Sequence, residues 1–159
     1  MQRTGIASPT EPTIVFNRTF DAPRELVWQA WTDPKYIAHW WGPNGFTNTI
    51  HAMDVKPGGV WRFIMHGPDG TDYPNKIIYR EVVKPERLVY DHSGDDNPDD
   101  PHVFQVLVTF TEDAGKTKVF MRMTFPSIKA RNSVIEFGAV EGGAQTLDRL
   151  EQYIKDHLQ

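Results

Sequence analysis

The sequence predicts an α+β domain: an antiparallel sheet of six to seven strands, two short helices after the first strand, and one long C-terminal helix. Three observations carry this. Between Phe46 and Phe125 apolar and polar residues alternate in short runs, divided by turns such as Lys56-Pro57-Gly58-Gly59 and Gly67-Pro68-Asp69-Gly70, as in a strand meander. After Pro126 the spacing becomes helical, from about Arg131 to His157. A length of 159 residues, with 39% hydrophobic and 24% charged content, suits one globular core.

Taken in order, residues 1–13 are rich in Gly, Ser, Thr and Pro and predict a flexible tail, leaving 14–159 as a single domain. Ile14 to Phe20 is β-rich and predicts the first strand. Asp21 is a candidate N-cap for the helix that follows, whose apolar face is Leu26, Val27, Ala30 and Trp31. Asp33-Pro34 ends that helix and caps a second, short one, in which Ile37, Trp40 and Trp41 share a side. Further strands are expected at 47–55, around Trp61 to Met65, and at 76–84, 87–92, 102–111 and 117–125. On the last helix Leu147, Leu150 and Ile154 mark one face, which becomes nearly bare towards Gly138, Gly142 and Gly143. A glycine inside a helix costs about 1 kcal/mol relative to alanine. Either another chain segment packs close to these glycines or space is left empty beside them.

Composition excludes several functions. The net charge of −4, with scattered Lys and Arg, argues against nucleic acid or an anionic membrane as partner. The absence of cysteine removes disulfides, thiolate metal sites and cysteine nucleophiles. The first residues contain no apolar core of a secretory signal, and no run reaches the roughly 18 apolar residues of a membrane span, so a cytoplasmic location is expected. His39, His51, His66, His92, His102 and His157 show no pair at helical metal-ligand spacing. The acidic loop SGDDNPDDP lacks the ligand order of a calcium-binding hand and reads as solvated. Neither a metal nor a cofactor is expected, and no nucleophile or dinucleotide motif supports a hydrolase or dehydrogenase.

The informative stretch is WTDPKYIAHWWGPNGF, residues 31–46, which holds three of the five tryptophans. Trp61, Phe63 and Met65 alternate on one strand face, as do Met121, Met123 and Phe125 near the sheet's end. An ordinary core and the wall of an apolar pocket are both consistent with these sets. Methionine and tryptophan suit an adaptable pocket. Arg62 and Arg122 fall out of phase and are expected on the outer face. Glu136 falls near the inner stripe of the last helix, with an exposed carboxylate as the alternative.

Four separated segments, FDAPRELVWQAWTDPKYIAHWWGP, DVKPGGVWRFIMHGPDGTDYPN, PERLVYDH and GGAQTLDRL, resemble the signatures of bacterial homologues of the activator of the 90-kDa heat-shock chaperone ATPase. The element order resembles the helix-grip fold of the START and birch-pollen-allergen superfamily. The resemblance covers roughly residues 14–156. It implies a curved sheet wrapped around the C-terminal helix, a hydrophobic cavity between them, and a setting in the stress response. Many relatives carry tryptophan where this chain has Gly143, which implies a roomier cavity here.

The function expected from residues and resemblance together is non-enzymatic binding of a small hydrophobic molecule in that cavity. The alternatives are a protein-docking, co-chaperone-like module and a cyclase- or aromatase-type enzyme; the chain is expected to be a monomer or homodimer. The expected lining draws on Trp40, Trp41, Phe46 and Met53 from the first half. It draws on Trp61, Phe63, Met65 and Tyr79 from the central strands, and on Met121, Met123 and Phe125 from the last. Gly138, Gly142 and Gly143 complete it from the helix.

Overall fold

The computed structural model describes residues 6–94 and 103–158. Its frame is one antiparallel sheet of eight strands in the order β1-β2-β8-β7-β6-β5-β4-β3. β1 is Ile6–Ala7, β2 Thr13–Phe20, β3 Thr47–Met53 and β4 Val60–His66. β5 is Asp72–Val83, β6 Arg87–Ser93, β7 Phe104–Asp113 and β8 Lys116–Thr124. Strands β3 to β8 form a continuous meander, with short turns at every connection except β6–β7, which runs through residues 94–103. The meander closes on β2, which pairs with β8 from Thr13↔Thr124 to Phe20↔Thr117. Helices α1 (Arg24–Thr32) and α2 (Pro34–Ile37) carry the chain from β2 to β3 at the far edge.

The phase of each strand decides which residues face the core. On β4, Trp61 and Phe63 are buried while Arg62 is exposed; on β8, Met121 is buried and Arg122 exposed. Ile77, Tyr79, Leu88, Tyr90, Val106, Val108 and Phe110 continue the same inner face across β5, β6 and β7. Leu147, Leu150 and Ile154 are buried against it. Arg18, 3% exposed on β2, ties the helix down through ion pairs to Asp148 (3.0 Å) and Glu151 (3.1 Å).

Four expectations are corrected. The stretch 6–13 is not free chain: Ile6–Ala7 pairs with Val15 and Ile14, which raises the strand number to eight. Arg131, 5% exposed, also holds it by donating to the carbonyls of Ser8 (2.6 Å), Glu11 and Thr13 (both 3.3 Å). Helix α1 is capped at Pro23 and not at Asp21, because Pro23 takes the extended conformation that precedes the first turn. The C-terminal helix is broken. α3 (Ile128–Glu136) is capped by the Ser127 hydroxyl, which accepts from the Ala130 N–H, and ends at Phe137. Gly138 then takes a left-handed φ of +89° and α4 (Ala139–Tyr153) begins in a new direction, finishing in one wide turn, Ile154–Leu158. The bases of the acidic loop, Ser93 and Gly94, are in the described part, but residues 95–102, with His102, lie outside it.

Candidate functional site: an apolar cavity under the C-terminal helix

The tryptophan-rich stretch 31–46 folds around a single side chain. Asp33 caps α2 by accepting from the Lys35 N–H (2.9 Å), and Trp40 donates its indole N–H to the Ala30 carbonyl (3.0 Å). The chain then turns through Gly42 and Gly45, both at positive φ. This leaves a cluster of main-chain carbonyls without strand or helix partners, and the Arg149 guanidinium of α4 collects them. It donates to His39 (3.1 Å), Trp41 (3.3 Å), Gly42 (2.9 Å), Pro43 (2.9 Å) and Phe46 (3.0 Å). Burial lowers its pKa from the usual arginine value. The Gln145 side chain adds an acceptor for the Asn44 N–H (3.0 Å). Loop and helix are therefore locked together along one edge.

Beside this lock lies a cavity of about 850 Å³. Trp31, Trp41, Gly42 and Pro43 form its wall on the loop side, and Met65, Tyr73, Asn75 and His92 on the sheet side. Met121 and Met123 continue the sheet wall; Val134, Phe137, Gly138, Ala139, Gly142, Gly143, Thr146 and Leu147 supply the helical roof through α3, the break and α4. Among the described residues no lining side chain is an acid, a lysine or an arginine. Phe137, 93% exposed at the helix break, and Tyr73, 39% exposed, mark the side where the cavity meets solvent.

The expected lining residues divide into two layers. Trp41, Met65, Met121, Met123, Gly138, Gly142 and Gly143 stand on the cavity wall. Trp61 and Phe63 stack on each other (4.2 Å between ring centres) behind Trp41, which meets Trp61 edge-on at 5.0 Å. Trp40 sits behind Trp31 and Trp41, 5.1 Å and 5.7 Å from their rings. Tyr79 lies in the core beside Tyr90, where burial raises both hydroxyl pKa values well above the phenol range. Phe125 stacks on Phe104 (5.0 Å), Phe46 on Tyr73 (5.9 Å), and Met53 opposes Trp61 across the β3–β4 ladder. All five tryptophans belong to one chain of ring contacts, Trp28–Phe110–Trp31–Trp40–Trp41–Trp61.

The glycines have three different reasons. Gly138 breaks the helix. A Cβ on Gly142 would stand 3.3 Å from the Pro43 ring. A Cβ on Gly143 would come within 2.3 Å of Phe16 Cζ, so that position is kept bare by a buried phenylalanine and not by empty space. The roominess implied by the missing tryptophan is occupied by Phe16. Glu136 is exposed at the end of α3 and takes no part in the wall.

Sequence reasoning missed the polar pair His92 and Asn75. His92 Nε2 lies 2.8 Å from Asn75 Oδ1, and the imidazole sits 4.9 Å from the Phe104 ring and 6.2 Å from that of Phe63. Burial among these rings pushes its pKa down to about 4, so the ring is neutral at physiological pH. The available signal was phase: His92 stands two residues after Tyr90, on the inner face of β6. A second grouping also escaped notice. Thr49 Oγ1, His66 and Asp72 form a hydrogen-bonded row (2.7 Å at each step) on the outer face of β3, β4 and β5. It has the order of a nucleophile, base and orienting carboxylate, but its hydroxyl lies on an exposed strand residue, where water screens the charge separation such chemistry needs. Among the described residues no group of three or more His, Asp or Glu could hold a metal.

No curated protein matches the chain. Solved structures do. Protein Ms6760 of Mycobacterium smegmatis is 27% identical with a TM-score of 0.84, covering 93% of both chains. A Staphylococcus epidermidis protein is 25% identical with a TM-score of 0.82, over 96% of this chain and 94% of its own. An Arthrobacter aurescens protein, 22% identical, shares the fold with a TM-score of 0.89 over 96% and 91%. The helix-grip arrangement is thus common to all of them. The family model described as Activator of Hsp90 ATPase homolog 1-like protein matches residues 21–155, from the turn before α1 to the last turn of the C-terminal helix, and the chain belongs to that family.

Proposed function

We propose that the protein is a non-enzymatic binding protein that holds one small, largely hydrophobic molecule between the sheet and the C-terminal helix. The observation that carries this is the cavity itself: about 850 Å³, open on one side, with walls of Trp, Met and Gly and no charged side chain among the described residues. Pockets of a few hundred to a thousand Å³ with apolar walls and one or two placed polar groups take drug-sized ligands. The wall is also well supported, since Trp41 is backed by Trp61 and Phe63, and its main chain is fixed by Arg149. A cavity on so rigid a frame keeps its volume without a ligand, which lowers the ordering cost of binding. Native mass spectrometry of the purified protein after addition of methoxynaphthalene tests the reading. A one-to-one adduct is expected; a bare chain at saturating probe would refute it.

A second reading, a protein-docking module, is favoured by one residue. Phe137 is 93% exposed between two helices, an uncommon position for a phenylalanine and one suited to insertion into a partner. Replacing Phe137 with Ser should leave stability within about 0.5 kcal/mol of the parent, as for a surface site, and should weaken binding to any protein partner. Unchanged capture of such a partner would remove this reading.

A further inference from the structure

We propose that His92 reads the polar end of the cavity's occupant: its Nδ1 accepts a hydrogen bond from a hydroxyl or N–H group of an otherwise apolar, uncharged molecule. This deepens the binding function proposed above and rests on it.

The argument starts at Asn75. Its Nδ2 donates to the Tyr73 carbonyl at 2.8 Å, which fixes the orientation of the amide. Oδ1 is then the atom 2.8 Å from His92 Nε2. An amide oxygen only accepts, so Nε2 must carry the imidazole proton. Burial keeps the ring singly protonated at neutral pH. Nδ1 is consequently a bare lone pair. It has no hydrogen-bond partner among the described residues, and it is not one of the unpartnered side-chain nitrogens sealed from solvent. His92 is on the cavity wall. Of the other polar side chains there, Asn75 is engaged by Tyr73 and His92 and the Thr146 hydroxyl donates to the Gly142 carbonyl at 2.8 Å; the indole N–H groups of Trp31 and Trp41 can only donate, and the Tyr73 hydroxyl belongs to a side chain 39% exposed at the rim.

The remaining wall sets the ligand's charge. With no lysine or arginine among its described residues, a carboxylate or phosphate would enter without a counter-ion, and its oxygens would face the Nδ1 lone pair. A cation would lose its hydration with no carboxylate among the described wall residues to replace it. The class that remains is neutral, mostly apolar and equipped with one donor, such as a phenol, an alcohol or an indole-type N–H. Asn75 is the positioning residue that selects the tautomer.

Matched probes test this: naphthol, which carries a donor, and methoxynaphthalene, which has the same rings and no donor, titrated by tryptophan fluorescence. Wild type is expected to bind naphthol roughly threefold to tenfold more tightly, the worth of one hydrogen bond inside a protein. His92→Phe is expected to bring the two affinities together while leaving that of methoxynaphthalene nearly unchanged. Equal affinities in wild type, or a preference that survives in His92→Phe, would overturn the role of His92 while binding of methoxynaphthalene upheld the cavity. Failure of both probes to bind would overturn both. Should His92→Phe not fold, the His92 Nδ1 resonance of wild type is the second measurement. It is expected to move with naphthol and to stay with methoxynaphthalene; equal responses to the two probes would refute the proposal.

Discussion

Gly143→Ala distinguishes two explanations of the glycine-bearing helix by the sign of its effect. If Gly143 faced open space, alanine would stabilise α4 by roughly 1 kcal/mol, the difference in helix propensity. The structure predicts the reverse. The new Cβ would lie 2.3, 2.8 and 3.0 Å from Cζ, Cε1 and Cε2 of Phe16, against an ordinary contact of 3.4 Å or more. The ring tip would have to withdraw by about 1 Å. Phe16 is only 2% exposed and its strand is fixed between β1 and β8, so the movement must be shared with core neighbours. Overpacking of this kind costs typically 1–3 kcal/mol. Set against the propensity gain of about 1 kcal/mol, the net effect is between neutral and a destabilisation of about 2 kcal/mol, read by urea denaturation. Phe16→Leu in the same chain should recover part of it, giving a coupling of roughly 1 kcal/mol in a double-mutant cycle. A stabilised Gly143→Ala, or strict additivity with Phe16→Leu, would refute the packing argument. Gly143→Trp should fail to fold unless Phe16 is also reduced.

Three further outcomes follow from other contacts. His92 has a native pKa of about 4 against 6.5 in an unfolded chain, so the unfolded state binds the extra proton first. Stability from this group is full above pH 6.5 and falls as pH drops towards 4, by about 3 kcal/mol in all; urea curves for wild type and His92→Phe should diverge over that window, and parallel curves would contradict it. Arg149→Met leaves the carbonyls of the 39–46 loop without their shared donor and should cost about 3 kcal/mol, with faster amide exchange in that loop; a loss under about 1 kcal/mol would mean that water replaces the guanidinium. Phe63→Ala, at a residue 1% exposed and stacked on Trp61, should cost roughly 3–5 kcal/mol in the same denaturation assay, and a much smaller loss would place the residue beside empty space.

The strands were legible because each has a single buried face. Period-two alternation located β2 to β8, and Pro/Gly turns separated them. The break at Gly138 was not legible. A glycine in a helical pattern reads equally as a tolerated residue or as a junction, and only the backbone conformation distinguishes them. The cavity was legible as a list of aromatic and sulfur side chains but not as a surface. Trp41 and Trp61 are both large and apolar, yet one is wall and the other is its backing, a difference set by tertiary stacking. Arg149 reads in sequence as one more charge on a helix; its role depends on carbonyls of residues more than a hundred positions away. His92 was hidden for the opposite reason, because an acidic loop beside it suggested solvent while its strand phase placed it inside.

The central claim, that the space under the C-terminal helix takes an apolar molecule, is tested most directly by the methionine methyl groups. The chain has five methionines. Met65, Met121 and Met123 stand on the cavity wall, while Met53 packs outside it on β3. In a spectrum of carbon-labelled methionine methyls, methoxynaphthalene should shift the signals of Met65, Met121 and Met123 along one saturable curve and leave Met53 unmoved. Unchanged wall signals at saturating probe, or a shift of Met53 equal to theirs, would contradict the account.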